Sequence, residues 1–432
     1  MTLGDSVDSS NALLVLCEHR VHRLTPSLRT RGEAMTDPQP DNPADVLSPV
    51  RRIPGDENRQ PERGLALCLS GGGYRAMIFH LGVLWRLNEL GLLPDIKRFS
   101  SVSGGSITAG VLAMNWEKLG FDGGKVASNF VDAVVAPLRR MAGTRIDIPA
   151  LVTGVLLPGA SVADRVADAY RRNLFGHTTL QDLPDDPHGP PRFIFNSTSL
   201  ETGVLLRFSK PYLADYKVGR ILNPGLDLAV AVAASSAFPP ILSPCTLDLK
   251  GQRWIREPGN DEALDRPEYR DEITVTDGGV YDNLGLETAW KNFTDIVVSD
   301  GGGQLAEESD PRSDWVRQTY RVLTIIDSQV RALRKRQIIG SIIATVRKGM
   351  YVGIRSRIPQ EFPQAVLPAR PEKTRPLAEI STRLDALSGP EQEGLINWGY
   401  VVCDAGLRSH YLRAQLRGEP ATPLPYPELP LG

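Results

Sequence analysis

The chain has 432 residues, 41% of them hydrophobic, and a formal net charge of −2. That is enough apolar material for one large domain or two, and the charge gives no bulk argument for binding nucleic acid. No run of about 18 or more apolar residues occurs, so no transmembrane helix is expected, and four scattered cysteines (Cys17, Cys68, Cys245, Cys403) suit a reducing compartment, not a disulfide framework.

Residues 1–63 are rich in Pro, Asp, Arg and Asn and are expected to be flexible. Leu13 to Cys17 is too short for a signal-peptide core, and Met35 opens a second plausible start. Leu65 to Leu69 then reads as a buried strand, followed by Gly71-Gly72-Gly73 and by a helix with Ala76, Phe79, Val83, Leu87 and Leu90 at spacings of three and four. Gly91 and Pro94 are placed to end that helix. Glycines between a strand and a helix N-terminus can aim free N–H groups at an anion, either a phosphate or the oxyanion of acyl transfer. A tight turn is the plain alternative.

Arg98 to Val102 predicts a second short strand, and Gly104 to Met114 a helix rich in small residues. A strand–Ser–helix turn is the frame of a nucleophile elbow, which needs small residues two before and two after the serine. Ser103 has Ser101 and Gly105 there; Ser101 would have Phe99, and Ser106 would have Gly104 and Thr108. Farther on, Ile273 to Thr276 reads as a strand ending at Asp277-Gly278-Gly279. Ile296 to Ser299, before Asp300-Gly301-Gly302-Gly303, reads the same way, and spacing alone does not choose between the two aspartates.

Ser313 to Met350 reads as helix, with Arg331, Arg334, Lys335, Arg336, Arg347 and Lys348 among Ile338, Ile339, Ile342 and Ile343. Such a stretch either covers a sheet or touches anionic lipid. Pro359 to Pro376 reads as a connection, Thr382 to Leu416 as helical, and the Pro-rich end from Glu419 as loose. The expected organisation is a flexible segment (1–63), a catalytic α/β domain (64–310), a mainly helical part packed on it (311–418) and a tail (419–432).

Five blocks in order resemble the patatin-like phospholipase family: Gly71-Gly72-Gly73 with Arg75, Ser103 with Gly105, Asn196 to Gly203, Ala233 to Pro240, and Asp277-Gly278-Gly279 followed by Val280-Tyr281-Asp282-Asn283. The resemblance implies a three-layer α/β/α domain with a central, mostly parallel sheet. It implies a lipid acyl hydrolase working by a Ser103–Asp277 dyad through an acyl-enzyme, an oxyanion hole at Gly71, Gly72 and Gly73, and substrate contacts at Arg75 and Gly104. It favours Asp277 over Asp300. The implied partner is a lipid or phospholipid, met in the cytoplasm or transiently at a membrane surface; no metal, cofactor or nucleic acid is called for. Two rival readings stay open. One is a non-catalytic phosphate- or lipid-binding module. The other is a soluble esterase whose triad takes its histidine from His410, since Ser103, Asp277 and His410 follow the chain order Ser…Asp…His. His80 reads as a packed helix residue, and His177 and His188 as loop residues.

Overall fold

A computed structural model describes residues 61–121, 123, 125–146, 162–185, 189, 191–240, 242–256, 260–311 and 314–432. The expected flexible segment and His188 lie outside them, apart from the first residues of strand β1 (Glu62–Leu69).

Strand β1 shows how the sheet acquires two covered faces. Leu65, Leu67 and Leu69 point into one apolar cluster, and Ala66 and Cys68 into another. A strand buried on both faces reads as a continuous apolar run, as Leu65 to Leu69 does. The first cluster is filled by helix α1 (Gly73–Glu89), helix α2 (Gly104–Asn115) and the late helix α10 (Gly389–Gly406). The second is filled by α7 (Leu286–Trp290) and by Ile338 of the long helix α8 (Trp315–Ile343). The result is a three-layer α/β/α sandwich.

The centre of the sheet is parallel: β11 (Lys348–Gly353), β10 (Phe293–Asp300), β1, β2 (Ile96–Ser101) and β3 (Arg192–Ser199) lie side by side in that order. Beyond β3 the pairing turns antiparallel. β4 (Leu205–Phe208), β5 (Tyr212–Asp215), β6 (Gly219–Leu222) and β8 (Trp254–Ile255) continue the order. β7 (Cys245–Asp248) and β9 (Glu272–Asp277) branch from β3. Because β9 runs against β3, pairing Ser197 with Asp277, its C-terminal end arrives two residues along β3 from Phe195, the partner of Ser101 at the end of β2. That register brings Asp277 to the turn that follows β2.

Three expectations need correction. The basic stretch is not one helix to Met350: α8 ends at Ile343, and residues 348–353 become the edge strand β11. Within it, Arg334 pairs with Glu287 at 2.8 Å, Arg347 donates to the Trp290 carbonyl at 2.8 Å, and Ile338 is fully buried. The Pro-rich end is pinned, not loose: Arg370 N–H donates to the Leu431 carbonyl at 2.7 Å, and Asn397 Oδ1 accepts from Tyr426 N–H at 3.0 Å. A short helix, α9 (Pro371–Glu379), also forms inside the expected connection.

Candidate active site

Ser103 stands between β2 and α2 with φ 50° and ψ −120°, a backbone conformation rarely tolerated by a residue with a Cβ. Holding it there costs roughly 1–3 kcal/mol, so the surroundings must enforce it. They do so from two sides. Ser103 N–H donates to Ser235 Oγ at 3.0 Å, and Ser235 Oγ in turn donates to the Asn196 carbonyl at 2.7 Å. Below the turn, Gly105 N–H reaches the Ser70 carbonyl at 3.1 Å, and a Cβ on Gly105 would lie 2.4 Å from the Leu69 carbonyl oxygen. This is the close approach that the small-residue frame anticipates. The rival serines are spent: Ser101 and Ser106 are fully buried, with Ser101 Oγ donating to the Ile194 carbonyl at 3.1 Å and Ser106 Oγ to Ser101 Oγ at 3.0 Å. Ser103 alone of the three lines the cleft.

The Ser103 hydroxyl and the Asp277 carboxyl line the same cleft as neighbours. Asp277 is 2% exposed, and its Oδ1 accepts from Gly279 N–H at 2.7 Å. Burial pushes the carboxyl up to about 7, against the pull of Gly279 N–H and the neighbouring Ser103 and with a small push from the charge of Asp327. A carboxylate with a pKa near neutrality is a far better proton acceptor than one at the usual ~3.9. Asp300, which spacing could not separate from Asp277, has a different fate. It is bonded to Tyr351 Oη at 2.6 Å and Gly302 N–H at 2.9 Å, with Arg331 Nε at 3.7 Å, and these partners hold its carboxyl below the usual range.

The glycine loop divides its labour. Gly72 (φ 142°) and Gly73 (φ 58°) adopt left-handed backbone, and among the described residues nothing accepts from their N–H groups. Gly73 opens α1, so both amides sit at the positive end of a 17-residue helix. Gly71 does not join them as expected: its N–H donates to the Asn283 carbonyl at 3.1 Å. It stays in the cleft wall because a Cβ there would press within 2.4 Å of Asn283 Oδ1.

Arg75 and Gly104, expected as substrate contacts, are buried and do not line the cleft. The Arg75 guanidinium donates to the carbonyls of Gly301 (3.0 Å), Ala378 (2.9 Å) and Ile380 (2.8 Å), which consumes its fork. Gly104 packs on Gly73, whose carbonyl oxygen would lie 2.1 Å from an added Cβ. Both residues hold the loop instead of meeting a ligand.

Among the described residues no histidine lines the cleft. His410 Nε2 donates to the Glu361 carbonyl at 3.0 Å, and its ring meets Phe362 edge-on. His80 is fully buried between Ser299 Oγ (2.7 Å) and the Ser70 carbonyl (2.9 Å). The carbonyl can only accept, so Nε2 carries the proton, and burial pushes the ring down to about 4.

The cleft has a volume of about 400 Å³. One wall is a stripe of α8, Tyr320, Thr324, Asp327, Ser328 and Arg331, at the three- and four-residue spacing of a single helix face. The opposite wall is Phe238, Pro239, Pro240 and Leu242. Nothing in the sequence marked Tyr320, Thr324, Asp327 or Ser328, since a stripe inside a long polar helix looks like solvated surface, and Arg331 stood out only as part of the basic stretch. Ser235 lay in a recognised block, but its role in holding the elbow emerges only from the contacts.

A family model described as patatin-like phospholipase matches residues 67–290, more than half of the chain. No curated protein matches. Among solved structures, VipD from Legionella pneumophila is similar at 16% identity with a TM-score of 0.33, over 80% of this chain and 66% of that one. Human GIVD cytosolic phospholipase A2 is similar at 11% identity with a TM-score of 0.46, over 81% of this chain and 62% of that one. The chain thus spans less than two thirds of the length of these two proteins.

Proposed function

The chain belongs to the patatin-like phospholipase family, and on that basis we propose that it hydrolyses carboxylic esters of lipids, phospholipids included, with Ser103 as nucleophile and Asp277 as base. The observation that carries this reading is Ser103, on a strained elbow, sharing one cleft with the buried carboxyl of Asp277.

Asp277 takes the hydroxyl proton as Ser103 Oγ bonds to the acyl carbon. The carbonyl oxygen gains the electron pair and is met by the N–H groups of Gly72 and Gly73. When the tetrahedral intermediate collapses, the ester C–O bond breaks and Asp277 returns the proton to the leaving alcohol. Water then attacks the acyl-enzyme and gives its proton to Asp277, which passes it to Ser103 Oγ as the acyl C–O bond breaks and the fatty acid leaves. A dyad suffices because burial supplies the basicity that a histidine provides in a triad.

The lipid surface is approached by the N-terminal half of α8. While one face of that half lines the cleft, Trp315 is 78% exposed, and Val316, Val322, Leu323 and Ile326 are each about half exposed. This patch replaces the basic stretch farther along as the candidate contact. Among the described residues no helix is long and apolar enough to cross a membrane.

Ser103→Ala tests the reading directly. Turnover of p-nitrophenyl butyrate should fall on the order of 10³-fold or more with the fold retained. Near-normal turnover at matched purity would end it and favour a binding module.

A further inference from the structure

We propose that a second cavity beside the catalytic cleft is a phosphate subsite, which takes the phosphodiester of the lipid whose ester lies at Ser103. The inference rests on the hydrolase reading above and names its substrate class.

The cavity has a volume of about 270 Å³ and shares Gln304, Ser328 and Arg331 with the cleft. Arg331 therefore belongs to both spaces. The cavity's other charged walls are Lys335, Arg355 and Asp300. Three cations face one acid, and both oxygens of that acid are already occupied, Oδ1 by Gly302 N–H and Oδ2 by the Tyr351 hydroxyl.

The cations are not consumed in the same way. Arg331 is ion-paired with Asp300 through Nε at 3.7 Å, beyond hydrogen-bond length, and no hydrogen bond from its guanidinium is seen among the described residues, so its donors stay open to a ligand. Lys335 rests its ammonium 4.6 Å above the Tyr351 ring, a contact that leaves its N–H donors free. Arg355 spends one nitrogen on the Ala378 carbonyl at 3.2 Å. Asp327, one turn before Arg331, faces the cleft and not this cavity, and burial pushes its carboxyl up, which weakens its claim on Arg331.

A planar guanidinium with open donors, backed by two further cations, matches a phosphate's oxygens. Placement decides the source. A glycerophospholipid carries its phosphate one glycerol away from its esters, and here the cation-lined cavity shares three wall residues with the cleft that Ser103 lines. Arg75 does not serve this purpose, because its donors are saturated by backbone carbonyls.

The test uses the full chain and short-chain monomeric substrates, which removes the lipid surface as a variable. Binding of inorganic phosphate is measured by calorimetry. kcat/KM is measured on dihexanoyl phosphatidylcholine and on dihexanoylglycerol for the native protein, Lys335→Gln, Arg355→Gln and the double variant. Lys335 and Arg355 are exposed, so the fold should survive. Phosphate should bind and compete with the phospholipid. The phospholipid-to-diacylglycerol ratio of kcat/KM should fall about tenfold in the double variant, with each single variant between. An unchanged ratio overturns the proposal; if phosphate binding is nonetheless lost, the cavity serves free phosphate instead of the substrate. Failure of the hydrolase reading looks different: the native protein would cleave neither ester while still binding phosphate.

Discussion

Asp277→Asn should abolish catalysis and at the same time make the protein more stable, increasingly so as pH rises. The carboxyl is driven from the usual ~3.9 to about 7 by burial. Its pKa is raised in the folded state, so between those values the native protein binds more protons than the unfolded chain. Stability is then lost as pH rises through the window, and the loss levels off above 7. Relative to the ionised unfolded chain, the fold loses about 4 kcal/mol at pH 8, where it must hold the charge, and about 1.5 kcal/mol at pH 5, where it must take up a proton. Asparagine is nearly isosteric, carries no charge, and can still accept from Gly279 N–H. Its stability advantage should therefore grow by about 2–3 kcal/mol between pH 5 and pH 8. Urea unfolding of both proteins across that range measures the difference, and p-nitrophenyl butyrate hydrolysis reports the loss of activity. The same ionisation governs the native rate: kcat/KM should be half-maximal near pH 7 and fall to about a tenth at pH 6. A pH-independent stability difference together with a flat rate profile would refute the burial argument.

Gly73→Ala should lower activity at least 100-fold and destabilise the chain by roughly 1–3 kcal/mol, because the new Cβ meets the Thr382 carbonyl oxygen at 2.2 Å on backbone with φ 58°; kinetics and thermal melts check both. His410→Ala should keep most activity on soluble esters, since its ring serves Glu361 and Phe362; a rate loss comparable to that of Ser103→Ala would reinstate a triad. Leu323→Glu with Ile326→Glu should weaken hydrolysis of vesicle lipid while sparing monomeric esters, because both residues are exposed on α8 away from the cleft stripe. Equal rates on vesicles would remove that half of α8 from interfacial contact.

What was legible beforehand was local. The five-residue apolar run gave β1, three- and four-residue spacing gave α1, and the steric demand of a tight turn picked Ser103 from its neighbours. What was not legible depended on partners far along the chain. Asp277 and Asp300 both end a strand before glycines, so only the family resemblance favoured Asp277; the physical distinction is the antiparallel register of β9 on β3, which puts one carboxyl beside Ser103 while the other is locked to Tyr351. Arg75 beside a glycine loop looks like an anion ligand until its three carbonyl partners, two of them beyond residue 370, are in view. The Pro-rich end looked loose because proline runs lack internal hydrogen bonds; Asn397 and Arg370 supply them from outside.

The pinning of Arg75 also sets a timetable. Ser103 and the glycine loop leave the ribosome well before the loop's restraints at Ala378 and Ile380, and before β10, the parallel partner of β1. At roughly 5–20 residues per second of synthesis, the interval runs to tens of seconds. During it the nascent chain carries Ser103 without the backbone carbonyls that fix its glycine loop, so the site that the hydrolase reading needs is completed only after residue 380 has been made.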